Sequence, residues 1–189
     1  MTPPPAPPRE RLSSARLYLC TADRDDLADF VSAVCAAGVD VVQLRDKSLD
    51  ARPLLERAAV AREAAHANGA LFVLNDRPDL ALECGADGVH VGQDDAPPAL
   101  CRRILGADAL VGLSTHAIEE LEAAEREPVD YVSVGPVVAT PTKPGRPGTG
   151  LDYVRFAAET TRHPFFVTGG VAPDTVGDIA AAGARRFVV

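Results

Sequence analysis

"AGVDVVQLRDK", residues 37–47, holds a helix stop, a short apolar run and a polar end in a single stretch. Gly38 suits the left-handed residue that ends a helix, because it has no Cβ to clash there. The run "DVVQL" (40–44) is too short for a second helix and reads as a buried strand. The same opening returns as "CGAD" (84–87) before "DGVHV" (87–91), and as "AGAR" (182–185) before "RFVV" (186–189). A helix that stops at glycine and hands over to a buried strand, several times along the chain, is a repeated βα unit. Such repeats lay their strands parallel.

Outward from this stretch, eight apolar runs alternate with longer segments rich in Ala, Leu, Arg and Glu. Besides those quoted, they are "RLYLC" (16–20), "LFVLN" (71–75), "ALVGL" (109–113), "DYVSV" (130–134) and "PFFVT" (164–168). Helix-like stretches include 50–68, 117–126 and 173–182, and Gly69, Gly106 and Gly183 are further helix stops. The expected fold class is therefore α/β, a (β/α)8 TIM barrel rather than an open doubly wound sheet. No GxGxxG follows the first run and no GxxxxGK[ST] occurs, which excludes the dinucleotide and P-loop nucleotide classes. The chain stops at Val189, inside the eighth run, so the expected barrel lacks its last loop and helix. Residues 1–15 carry five prolines and are expected as a flexible, extended arm, with 16–189 as one TIM-barrel domain.

Hydrophobic residues make up 47% of 189 positions, enough for a real core. No apolar run spans a membrane, and the first 16 residues lack the apolar centre of a signal peptide. A net charge of −8 argues against nucleic acid as a partner but leaves room for a local basic pocket. The four cysteines form no CxxC pair and read as reduced core thiols of a cytoplasmic protein. His90, in "GVHVG", reads as a packed or hydrogen-bonded residue, since no second His or Cys stands at ligand spacing.

Barrel chemistry gathers where strands end, so the residues after each run carry the functional reading. In "QLRDK" (43–47), alternation puts Gln43, Arg45 and Lys47 on one face and turns Val42 and Leu44 toward the helices. Two cations so placed suit a phosphate or diphosphate; the other reading is a solvated loop paired with Asp46. "NDRPD" (75–79) offers Asp76, and "GQDDAPP" (92–98) offers Asp94 and Asp95. Each acid could cap the helix that follows, opened by Pro78 or Pro97. Together they bring carboxylates to neighbouring strand ends, which is how Mg²⁺ is held beside a diphosphate. Ser114, in "GLSTH", has no base beside it in the sequence and reads as a hydrogen-bonding group. From Tyr131 to Leu151 there is no Asp or Glu, and Lys143 stands there among Pro, Gly and Thr in "ATPTKPGRPGTG" (139–150). "TGGV" (168–171) lets an anion approach backbone N–H groups.

In their order, "QLRDK", "NDRPDLA", "GADGVHVGQDD", "GLSTH", "VSVGPVVATPTKPG" and "VTGGV" resemble the thiamine phosphate synthase family from about Arg16 to Val189. The resemblance implies a Mg²⁺-dependent transferase that joins a pyrimidinylmethyl diphosphate to a thiazole phosphate, giving thiamine phosphate and diphosphate. Carried over by motif, Gln43, Leu44, Arg45, Asp46, Lys47, Asn75, Ser114 and Lys143 hold the pyrimidine diphosphate, with Lys143 and Ser114 in the catalytic role. Asp76 and Asp95 bind Mg²⁺, and Thr140, Pro141, Thr142 and Gly170 hold the thiazole phosphate. The acid-free stretch is then a loop over two phosphorylated substrates, which carboxylates would repel. The family continues past this last strand into a loop and helix, and there the sequence departs from it. A thiazole tautomerase-like isomerase and a non-catalytic phosphate-binding barrel are the alternatives. The partners implied are phosphorylated small molecules, with no nucleic acid and no membrane, and a homo-oligomer is left open.

Overall fold

A computed structural model describes residues 6–138 and 148–189. Eight strands run in chain order as β1 (Leu17–Thr21), β2 (Val41–Leu44), β3 (Leu71–Asn75), β4 (Gly88–Val91), β5 (Leu110–Thr115), β6 (Tyr131–Val134), β7 (Phe165–Val167) and β8 (Phe187–Val188). Each pairs in parallel with the next, and β1 pairs with β8, so the sheet closes into a barrel. The helices between them are α2 (Leu27–Ala36), α3 (Ala51–Ala67), α4 (Pro78–Glu83), α5 (Pro98–Leu105), α6 (Ile118–Ala124), α7 (Gly150–Thr160) and α8 (Val176–Ala181). The glycine stops sit as expected, with φ of +110° at Gly38, +74° at Gly69, +82° at Gly106 and +106° at Gly183.

Alternation along the strands sorts the core into two layers. On β2, Val42 and Leu44 join the outer layer beneath the helices, while Val41 faces the barrel interior. The lower interior is apolar, with Leu71, Val73, Leu110 and Phe166 around Tyr18 and Tyr131. The upper interior is polar, and Gln43, His90, Ser114 and Ser133 are all buried there.

An acid entering each of three even-numbered strands pins the start of the strand before it. Asp40 Oδ2 accepts from the backbone N–H of Arg16 at 2.7 Å and of Leu17 at 2.9 Å. Asp87 Oδ2 accepts from Phe72 N–H at 2.7 Å, and Asp130 Oδ2 accepts from Val111 N–H at 2.7 Å. These bonds satisfy strand-start donors at the barrel floor, where an unpaired amide is costly. The "GVD" and "GAD" turns seen as helix stops are thus also strand clamps.

The extended arm expected over residues 1–15 does not hold for its second half. Pro8–Ser14 form a helix, α1, that closes the floor of the barrel. Pro8 at its first position has the φ a helix needs and no N–H to waste, so the proline cluster marks a helix start. Leu12 and Ala15 are buried against the lower interior layer. Arg9 pairs with Asp130 at 2.6 Å and Arg11 approaches Asp87 at 3.8 Å, so two strand clamps also hold α1.

None of the four cysteines forms a disulfide, three of them are buried, and burial pushes the thiols of Cys35, Cys84 and Cys101 upward. Among the described residues, no helix is long and apolar enough to cross a membrane. Because Leu12 is buried in the floor, Leu12→Ala is expected to cost about 2–4 kcal/mol in urea unfolding. Arg9→Ala, at a half-exposed site, is expected to cost under about 1 kcal/mol. An unchanged midpoint for Leu12→Ala would show that α1 does not seal the barrel.

Candidate active site

The C-terminal ends of the strands surround a cavity of about 350 Å³. Gln43, Asn75, His90 and Ser114 line it from the polar upper layer, with Arg45 and Lys47 above them. The face expected from alternation in "QLRDK" is the one that meets the cavity. Leu44 packs in the outer layer, so its side chain does not reach the cavity. Asp46 is also turned away. Its Oδ1 accepts from Ser48 N–H at 2.9 Å and Ser48 Oγ–H at 2.6 Å, and its Oδ2 accepts from Asp23 N–H at 3.2 Å. The Ser48 bonds hold its carboxyl below the usual range. Asp46 therefore shapes the loop rather than pairing with its neighbouring cations. Among the described residues the Arg45 guanidinium has no carboxylate partner, and Lys47 Nζ pairs with Asp76 Oδ2 at 2.9 Å.

Asp76 is the one non-glycine residue with positive φ among those described, at +62°. Arg77 N–H closes a tight turn onto Asn75 C=O at 2.8 Å, and Asp76 N–H reaches His90 C=O at 2.8 Å. A side chain held at such φ costs free energy, and such costs gather at functional sites. Asp76 does not cap the following helix: Arg77 occupies that position, with no side-chain cap, and pairs with Asp79. Asp95 is no cap either, since α5 opens at Pro98 behind Pro97, and its Oδ2 accepts from Gly92 N–H at 2.8 Å. Asp76 and Asp95 both line the cavity, whereas Asp94 is exposed and does not.

Ser114 has no base beside it in the sequence, and in space it meets an imidazole. His90 Nε2 lies 2.9 Å from Ser114 Oγ, and His90 Nδ1 lies 3.2 Å from Tyr131 Oη. His90 pairs in register with Gly112, two residues before Ser114. A Cβ at Gly112 would collide with the Tyr131 ring and stand 2.5 Å from His90 Nδ1, so only glycine admits this contact. The signal was present in the alternation: His90 shares the inward phase of its strand, as Ser114 does on the next.

At the far side, Gly169 and Gly170 have φ of +80° and +79°. A Cβ on Gly170 would stand 2.8 Å from Val138 Cγ2, and one on Gly169 would strike Pro136. The pair thus lets the segment after β6 cross close above β7, where Val137 N–H bonds Thr168 C=O at 2.9 Å. Gly170 lines the cavity. Thr140, Pro141, Thr142 and Lys143 lie outside the described residues.

A closed (β/α)8 barrel with a polar, two-signed mouth at its strand ends has the architecture of a barrel enzyme. Residues 17–189 match the family profile described as thiamine monophosphate synthase. The chain is 55% identical over 186 residues to the thiamine-phosphate synthase of Thermobifida fusca, covering 96% of this chain and 85% of that one. It is 49% identical over 183 residues to that of Acidothermus cellulolyticus, covering 94% and 86%. Among solved structures, thiamine phosphate pyrophosphorylase from Pyrococcus furiosus superposes with a TM-score of 0.84 at 28% identity, covering 96% of this chain and 86% of that one. The chain belongs to the thiamine monophosphate synthase family, a family of transferases.

The turn at Asp76 gives a direct test of its strain. Asp76→Gly should be about 1 kcal/mol more stable than Asp76→Ala, because only glycine occupies that φ freely. Equal thermal stability of the two variants would show that the turn relaxes and holds no strain.

Proposed function

We propose that this chain is a thiamine-phosphate synthase, joining a pyrimidinylmethyl diphosphate to a thiazole phosphate. The observation that carries the reading is one cavity lined by Arg45, Lys47, Asp76, Asp95 and Gly170 together. The bond from the methylene carbon to the diphosphate oxygen breaks, and its electron pair leaves with the diphosphate. The thiazole nitrogen then gives its lone pair to the same carbon. No protein nucleophile is needed, and no general base.

Arg45 and Lys47 face the charge that grows on the departing diphosphate, which is where fixed cations accelerate a reaction. Lys143, from the "TPTK" segment, joins them in this reading. Gln43, Asn75 and Ser114 orient the pyrimidine ring. Thr140, Pro141, Thr142 and Gly170 hold the thiazole phosphate so that its nitrogen waits in line. Two phosphorylated ligands are then the partners of this acidic protein, and its reduced thiols suit the cytoplasm.

The carboxylates fit Mg²⁺. Each has Oδ2 committed, to Lys47 or to Gly92 N–H, and among the described residues Oδ1 of each makes no hydrogen bond. No group of three or more His, Cys, Asp or Glu surrounds a metal position among the described residues. Two carboxylates, with substrate oxygens and waters for the rest, match the way Mg²⁺ is bound beside phosphates. Asp76 and Asp95 would hold it, and it would supply charge neutralisation at the leaving diphosphate.

Incubation of both substrates with Mg²⁺ should yield thiamine phosphate and diphosphate in equal amounts, and chelation should stop the reaction. Asp76→Ala and Asp95→Ala should each lower turnover by about 100-fold or more. Lys143→Ala should lower kcat more than it raises KM, since its contact strengthens as diphosphate leaves, and Arg146→Ala should do less. Full turnover in either aspartate variant would remove that residue from the metal site.

A further inference from the structure

Between β2 and α3 the chain has no regular structure, yet it brings Arg45 and Lys47 to the cavity. Arg45 is fixed by the sheet, because its N–H bonds Thr21 C=O at 2.8 Å. Two residues on, Lys47 has no strand to hold it, and Asp46 supplies the anchor. Asp46 Oδ1 accepts from Ser48 N–H at 2.9 Å, which closes an Asx turn with Lys47 at its centre. Ser48 Oγ–H adds a second bond to the same oxygen at 2.6 Å. Asp46 Oδ2 reaches across to the loop after β1 and accepts from Asp23 N–H at 3.2 Å. That loop is itself tied down, since the Asp23 carboxylate pairs with Arg57 of α3, which also donates to Arg24 C=O. On the other side, Lys47 Nζ meets Asp76 Oδ2 at 2.9 Å in the loop after β3. One line of contacts thus crosses three neighbouring loops of the mouth, with Asp46 and Lys47 at its middle.

We infer that Asp46 is a positioning residue: by clamping the turn around Lys47 to the loop after β1, it holds the Lys47 ammonium at the cavity for an anionic ligand. Electrostatics alone argues against an acid in this place, since a carboxylate between two cations weakens their pull on an anion. The contacts show what the acid is for. Its two oxygens take three donors, and none of these belongs to Arg45 or Lys47. The Ser48 bonds hold its carboxyl below the usual range, so the clamp stays charged and its bonds strong at neutral pH. Lysine carries its charge on a flexible four-carbon stem, and the Lys47 side chain is 57% exposed. Where its ammonium dwells therefore depends on where the turn aims the stem, and the clamp fixes that turn.

That the anion is a diphosphate rests on the proposed function. The clamp itself does not depend on that reading and is tested first without ligand. Two substitutions take it apart in steps. Asp46→Ala removes both the turn and the tie between loops. Asp46→Asn keeps an acceptor for Ser48 but turns its amide nitrogen toward Asp23 N–H, donor against donor, and so cuts the tie alone.

In ligand-free crystals of Asp46→Ala, Lys47 should leave its ion pair with Asp76; a Lys47 that keeps that pair overturns the inference. Inorganic pyrophosphate with Mg²⁺ is then titrated calorimetrically into wild type and both variants. Each substitution removes a negative charge, so electrostatics alone expects tighter binding. The clamp predicts weaker binding, by about tenfold in Asp46→Ala and by less in Asp46→Asn. Unchanged or tighter binding in Asp46→Ala overturns the inference, and should that variant fail to fold, Asp46→Asn decides in the same way. In a Lys47→Ala background, Asp46→Ala should cost little more, because both remove the same contact. A full tenfold loss there would show that Asp46 acts on something other than Lys47, and it too overturns the inference. A displaced Lys47 in a protein that makes no thiamine phosphate would sink the proposed function and leave the clamp standing. An active synthase whose Lys47 stays in place in Asp46→Ala would do the opposite.

Discussion

Closure of eight parallel strands forces every second side chain into a space with one floor and one mouth, and the rest of this molecule answers that constraint. The floor must be dry. α1 supplies Leu12 and Ala15 to it, and Asp40, Asp87 and Asp130 satisfy the amides where strands begin. The lower layer can then hold bulky rings, Tyr18, Tyr131 and Phe166, packed edge to face. The two tyrosine hydroxyls meet at 3.0 Å and that of Tyr131 reaches His90 Nδ1 at 3.2 Å, so the apolar floor passes directly into the polar layer. Gly112 is the concession that lets the Tyr131 ring and the His90 ring share one level of the barrel.

The mouth inverts the charge of the molecule. A protein with net charge −8 turns Arg45 and Lys47 into its cavity and keeps the carboxylates there to Asp76 and Asp95. Asp76 is held in place by a left-handed turn, a bond to His90 C=O and an ion pair to Lys47. Helix capping, the simplest use for an acid before a helix, is not what either carboxylate does. An acid kept in a strained turn, with one oxygen that meets no donor among the described residues, is suited to a cation that arrives with its substrate.

Much of this is legible in the sequence, because local rules decide it. Gly38, Gly69, Gly106 and Gly183 mark helix ends through their φ alone, and the alternation of "QLRDK" sends Gln43, Arg45 and Lys47 to the cavity. What sequence reading misses depends on contacts across the barrel. The proline-rich start reads as an extended arm because its helix is stabilised by docking on Asp87 and Asp130, far along the chain. The imidazole beside Ser114 goes unread because His90 sits on a neighbouring strand. Leu44 and Asp46 fall inside a family motif, yet one side chain faces the helices and the other ties its own loop. A motif carries residues of both kinds, and only the geometry separates them.

The central claim is that the carboxylates of two neighbouring strand ends hold a divalent cation against a diphosphate in this cavity. Anomalous diffraction from crystals soaked with Mn²⁺ and the pyrimidinylmethyl diphosphate tests it most directly. The account predicts a single anomalous peak between the carboxylates of Asp76 and Asp95, with the diphosphate reaching from it toward Arg45 and Lys47. A peak at Asp94, or at the barrel floor beside Asp87 or Asp130, would contradict it.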